Sequence, residues 1–160
     1  MALLSFKEFS HHSFSLSERF LGCDVGEKTI GLALSDITKT IATPLTVIKR
    51  TKWKKDALLL KEKLSQHQVA GLIVGFPLNM NGTEGPRCQS TRQFSANMLD
   101  LSVLPLCLWD ERLSTQAITR TLLEADLSRG KRKPLLDKMA AAYILQGFLD
   151  AFQKYMREMK

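Results

Sequence analysis

The order of its apolar runs constrains this chain most. Three β-like runs follow one another with short connections: residues 20–26 (FLGCDVG), 29–36 (TIGLALSD) and 43–50 (TPLTVIKR). Such a series reads as an antiparallel meander, with glycines permitting the tight turns. Residues 54–68 then show helical spacing with charged ends, and 69–76 (VAGLIVGF) form a continuous apolar run suited to a buried parallel strand. Residues 87–101 read as a helix and 103–111 as a second buried strand, with Pro105 near its start. Residues 114–127 read as a helix capped by Ser114, 128–133 as a basic loop, and 134–160 as a long final helix with Pro134 in its first turn. A meander followed by alternating helices and strands predicts an α/β fold: a mixed sheet of three antiparallel and two parallel strands, flanked by helices.

At 160 residues the chain suits one core. Residues 20–160 are read as a single domain, and residues 1–19, which lack a clear period, as a mobile N-terminal extension. No apolar run reaches the roughly 20 residues of a membrane span. The first residues lack the basic and apolar regions of a secretory signal. Cys23, Cys88 and Cys107 show no metal-ligand spacing, and a reduced, cytoplasmic setting is expected.

The chemistry rests on acids placed at the edges of elements. Asp24 lies inside the apolar strand 21–26, where an isolated carboxylate is costly and needs a partner or a metal. Its plainer reading is the cap of the next turn. Asp110 and Glu111 follow the apolar residues 104–109, where a parallel strand ends and α/β sites usually form. Their plainer reading is a solvated pair with Arg112. Asp137 falls in the first turn of the final helix, where a carboxylate is also favoured by the dipole. Together, acids from separate elements offer the oxygen ligands that suit Mg²⁺ or Mn²⁺. One or two such ions in a carboxylate cluster activate water and stabilise the leaving oxygen of a phosphodiester. No Ser/His/Asp or Cys/His set competes. His67 lies on a surface helix, and His11 and His12 lie on the extension.

The formal charge of +7 favours a polyanionic partner. Lys49, Arg50, Lys52, Lys54 and Lys55 form one basic cluster around Trp53. That ring is offered either to a base or, as is commoner at a helix start, to the core. Arg129, Lys131, Arg132 and Lys133 form a second cluster. Residues 74–85 (VGFPLNMNGTEG) allow tight turns and leave amides free for phosphate oxygens.

Residues 22–33, 74–84, 110–115 (DERLST) and 137–146 (DKMAAAYILQ) resemble the YqgF/RuvX family, in order, over about Phe20 to Phe152. Phe76 and Asn81 depart from the aliphatic residue and the aspartate usual there. The resemblance implies a ribonuclease H-like fold related to Holliday-junction resolvases. It also implies a nuclease that matures the 5′ end of pre-16S ribosomal RNA. Asp24, Glu111 and Asp137 carry over as catalytic metal ligands, with Asp110 as a neighbour that shares the metal. Lys28, Arg112, Arg129, Lys131, Arg132 and Lys133 are the expected nucleic-acid contacts. The partner is then ribosomal precursor RNA or branched DNA, with no membrane, and the protein a monomer or weak homodimer. Two alternatives stand beside this reading: a resolvase of branched DNA, which needs a symmetric pair of sites, and a non-catalytic RNA-binding assembly factor, which has no use for the acids.

Overall fold

A computed structural model describes residues 3–113 and 129–159, with side chains described for 3–112 and 139–159. Six strands form one sheet: β1 (Leu3–Leu4), β2 (Arg19–Val25), β3 (Thr29–Ser35), β4 (Ala42–Lys49), β5 (Val69–Phe76) and β6 (Leu106–Asp110). Their spatial order is β1-β6-β5-β2-β3-β4. The meander β2–β3–β4 is antiparallel, and β5 and β6 add in parallel beside β2, as the apolar runs predict. Every residue of β5 is buried, as expected of a strand covered on both faces.

The helices are α1 (Phe6–Ser10), α2 (Trp53–Gln66), α3 (Pro86–Leu101) and α4 (Arg129–Glu158). Leu60 and Leu64 of α2 and Phe94 and Met98 of α3 close one face of the sheet over Leu21, Cys23, Leu72 and Val74. Ile144, Leu145, Phe148 and Phe152 of α4, with Phe9 of α1, close the other over Phe20, Ile73, Cys107 and Trp109. Glycines set the height of α4 above the sheet. A Cβ on Gly22 would lie 2.7 Å from Leu145 Cβ, and one on Gly75 would lie 2.5 Å from Ile144 Cδ1.

The structure differs from the sequence reading in two places. Residues 3–19 are packed rather than a mobile extension. Leu3 and Leu4 pair with Leu106 and Cys107, and Ser5 and Glu8 form a capping box at α1. The cause is aromatic burial: Phe9 is fully buried, and Phe6 packs edge-on against Phe148 and Tyr155. The buried Lys39 ammonium ties down the rest of the segment by donating to the carbonyls of Ser15 and Glu18.

Second, α4 begins at Arg129, so residues 129–133 are helical rather than a loop and Pro134 is the sixth residue. Lysine and arginine propagate a helix well, and Pro134, past the first turn, costs the helix one backbone bond. Of the two readings of Trp53 the packing one holds: it sits edge-on to Phe94, 6.1 Å between centroids. The helix expected over 114–127, with its Ser114 cap, lies outside the described residues.

Candidate active site

Because β2, β5 and β6 are parallel, their carboxyl ends gather at one end of the sheet, where sites in open α/β sheets form. Cys23 is in register with Val74 and Phe76 with Asp110. Asp24 therefore stands level with Gly75 and Trp109, and Asp110 one residue beyond. One strand separates them, which sets their backbones about 10 Å apart. Side chains alternate along β2. Cys23 and Val25 face the core under α2 and α3, and Asp24 shares the opposite face with Phe20 and Gly22.

Asp24 is only 8% exposed. Its Oδ1 lies 3.7 Å from Nη2 of Arg87, which also donates to the Val25 carbonyl at 3.3 Å. The two residues line a cleft of about 420 Å³ together with Gly26, Glu27 and Ser90. Burial, with the Asp24 charge adding to it, pushes the Cys23 thiol up to about 12, and the side chain turns to the other face.

Asp110 is held by Arg112. Nη2 donates to Oδ2 at 2.8 Å, while Nε and the backbone N–H both donate to Oδ1, at 3.1 and 3.0 Å. The hydrogen-bonding guanidinium holds the Asp110 carboxyl below the usual carboxylate range. The third arm of Arg112, Nη1, donates to the Met80 carbonyl at 3.2 Å, so this arginine joins the β6 end to the loop after β5. Glu111, half-buried, opens the 3-10 turn Glu111–Leu113, which packs against α4.

Asp137 is the ninth residue of α4, not part of its first turn. The helix dipole acts mainly within the first turn, so the dipole reading of this acid does not apply. Leu145 and Ala141 lie against Gly22 and Phe152 against Phe20, so α4 runs antiparallel to β2, and Asp137, earlier on the helix, lies towards the carboxyl end of that strand. Its side chain lies outside those described, as do the side chains of Arg129, Lys131, Arg132 and Lys133 on the first turns of α4. Among the described residues, no three His, Cys, Asp or Glu side chains are close enough to hold a metal ion.

The loop after β5 is a self-bonded turn and not an open amide cradle. Asn79 N–H donates to Thr83 O at 2.9 Å, Gly82 N–H to Asn79 O at 2.8 Å, and Thr83 N–H to Asn81 Oδ1 at 3.1 Å. Gly82 has φ +84°, a conformation that favours glycine. Arg92 fastens the far side of the loop through two bonds to Glu84, of 2.9 and 3.0 Å.

The first basic cluster begins at this same end of the sheet. Thr29 pairs with Lys49, Arg50 N–H donates to Lys28 O, and the Arg50 guanidinium donates to Gly26 O at 2.8 Å. Arg50 thereby braces the β2–β3 turn that carries Lys28. Sequence reasoning missed Arg87. The available signal was a cation directly after Pro86 at a helix start, where the dipole disfavours it.

A family model described as "RuvX: Holliday junction resolvase" matches residues 18–151. A Paramagnetospirillum magneticum protein provisionally named pre-16S rRNA nuclease is 59% identical over 138 residues, covering 86% of this chain and 89% of its own. A Methylocella silvestris protein of the same name is 53% identical over 137 residues, covering 86% and 85%. Among solved structures, Thermus thermophilus RuvC in complex with a Holliday junction substrate superposes with a TM-score of 0.54 at 15% identity, over 87% of this chain and 96% of that one. The yeast mitochondrial Holliday junction resolvase gives 0.51 at 11% identity, over 95% and 87%. The likeness at these identities is one of fold: a mixed sheet of the ribonuclease H-like type, flanked by helices.

Proposed function

The chain belongs to the RuvX family, and from that premise we propose that it is a divalent-metal-dependent nuclease that hydrolyses phosphodiester bonds in maturing the 5′ end of pre-16S ribosomal RNA, in the cytoplasm. The observation that carries the chemistry is the buried carboxylate of Asp24, near the end of a core strand and on the wall of a cleft. Burying that charge costs stability and serves no packing purpose.

Asp24, Glu111 and Asp137 are the proposed ligands of Mg²⁺ or Mn²⁺. The donor set fits such an ion. Its atoms are carboxylate oxygens, the nearby thiol is protonated and turned away, and His11 is engaged with the Tyr155 hydroxyl. The ion, when bound, supplies Lewis-acid activation of water and neutralises charge on the leaving oxygen. The protein supplies position. Asp24 is held by the sheet, Glu111 by its turn against α4, and Asp137 by a helix seated on Gly22 and Gly75. Asp110, with both oxygens on Arg112, braces the β6 end instead of joining the ligands. Arg112 in turn fixes the loop, which leaves Lys28 and the basic first turns of α4 as the phosphate contacts.

In this reading the protein acts as a monomer or weak homodimer. The relatives' shared name favours RNA over branched DNA as substrate. The test is incubation of purified protein with labelled precursor RNA and with a synthetic four-way junction, each with and without Mn²⁺. Metal-dependent RNA cleavage is expected. Cleavage of the junction alone, by a dimer, would move the assignment to a resolvase. Binding without cleavage under every condition would leave a non-catalytic assembly factor.

A further inference from the structure

Arg87 stands where helix electrostatics disfavour a cation. It is the second residue of α3, whose first turn holds no acid to offset it. Its guanidinium instead reaches the cleft wall. Nη2 is 3.7 Å from Asp24 Oδ1, beyond the roughly 2.7–2.9 Å of a charge-assisted hydrogen bond. The contact is therefore Coulombic and not a locked fork. The partners also differ in freedom: the Arg87 side chain is 55% exposed and that of Asp24 11%. The carboxylate is fixed, and the guanidinium, held besides by one bond of 3.3 Å to the Val25 carbonyl, is the partner with room to move.

We propose that Arg87 is the resting counter-ion of Asp24 and, once a divalent ion takes that carboxylate, the residue that binds an RNA phosphate beside the cleavage point. The inference rests on the reading of Asp24 as a metal ligand. Two cations compete for one buried carboxylate, and the doubly charged ion repels the guanidinium as it binds. The displaced side chain still borders the cleft, and its planar fork matches a phosphate through two parallel bonds. Ser90, three residues on and so on the same helical face, lines that cleft and offers a hydroxyl donor. Glu27, on the opposite lip, repels an anion and directs it towards α3. The ion pair thus keeps Asp24 neutralised in the free protein and converts metal binding into a phosphate site.

The test uses the full chain with Arg87→Gln and Arg87→Lys. Mn²⁺ affinity without RNA is read by titration calorimetry. Affinity for labelled precursor RNA is read in Ca²⁺ and in EDTA over a range of salt. Removing an exposed rival cation is expected to tighten Mn²⁺ binding by up to about fivefold in Arg87→Gln. RNA affinity in Ca²⁺ is expected to fall, with the log–log salt slope flatter by about 0.7, while affinity in EDTA hardly changes. Arg87→Lys should fall between, because lysine keeps the charge and loses the fork. Equal melting temperatures show that the half-exposed substitution leaves the fold intact. Unchanged Mn²⁺ affinity overturns the counter-ion role, and RNA binding equally weakened in EDTA, or unchanged in Ca²⁺, overturns the exchange. A parent protein that binds no Mn²⁺ overturns the metal reading of Asp24 and this inference with it.

Discussion

Adding one methyl group at Gly75 tests whether the seating of α4 controls the site. A Cβ there would lie 2.5 Å from Ile144 Cδ1, 3.1 Å from Cγ1 and 3.3 Å from Cγ2. Rotating the terminal methyl relieves only the first of these contacts. The other two atoms branch from the same Cβ, so the side chain, and α4 with it, must shift. Overpacking of this kind costs about 1–3 kcal/mol. Ile144→Ala alone should cost about 2–5 kcal/mol through the cavity it leaves. In the double variant the new methyl enters that cavity, so the two costs should combine with a favourable coupling of about 1 kcal/mol or more. Urea unfolding of the four proteins gives the coupling. Single-turnover cleavage at saturating metal gives its consequence for the site. Gly75 is level with Asp24, and Ile144 lies on the helix that carries Asp137. Gly75→Ala should therefore slow cleavage even at temperatures where it is fully folded, and Ile144→Ala should restore part of the rate. Additivity within about 0.5 kcal/mol, with no rescue of rate, would refute the steric argument.

Asp24→Asn should stay folded and lose more activity than the roughly 10- to 100-fold that loss of an outer metal partner costs; full metal-dependent cleavage by the folded variant would sink the assignment. Phe9→Ala, emptying a fully buried ring site, should cost about 3–5 kcal/mol in urea unfolding, and a loss below 1 kcal/mol would mean the N-terminal segment is not part of the core. Arg112 lowers the Asp110 pKa, a contribution to stability that is complete above the unfolded value near 3.9 and lost as pH falls through the folded one. The stability gap between parent and Arg112→Leu should therefore narrow on acidification from pH 5 to pH 3, and a constant gap would count against the pair. Replacing Arg129, Lys131, Arg132 and Lys133 with alanine should weaken binding of unrelated RNAs alike and flatten the salt slope by up to about 0.7 per lost contact. An unaltered slope would make those residues a solvated helix start.

What the sequence revealed depended on how many residues carried each signal. The eight buried residues of β5 and the three runs of the meander repeat their pattern often enough to be read. The strand of Leu3 and Leu4 is two residues long and has no period to detect. The phenylalanines around it announce burial without saying against what, and Gly71, which receives Phe9, lies 62 positions away. The sequence alone puts the start of α4 at Pro134, because proline suits a first turn, whereas lysine and arginine before it extend the helix. Asp24, Asp110 and Glu111 were visible as acids breaking or ending apolar runs. The fork that Arg112 makes on Asp110 was not, because it depends on the conformation of the β6 end. The loop's amides looked free because bonds such as Gly82 N–H to Asn79 O depend on the turn's conformation and leave no mark in composition.

The geometry explains why such a fold tolerates wide divergence in sequence. Its positions are set by backbone relations more than by side-chain identity. The parallel register puts the ends of β2, β5 and β6 side by side, and the two glycines under α4 fix how close that helix comes. A resolvase structure at 15% identity shares the architecture, so the architecture alone does not choose between RNA and branched DNA. We propose that the choice falls to what borders the acids: the loop tied by Arg92 and Arg112, the basic turn braced by Arg50, and Arg87 on the cleft wall. These residues are exposed or half-exposed and packing constrains them little. Substitutions there should therefore cost little stability, whereas filling either glycine beneath α4 costs about 1–3 kcal/mol in overpacking.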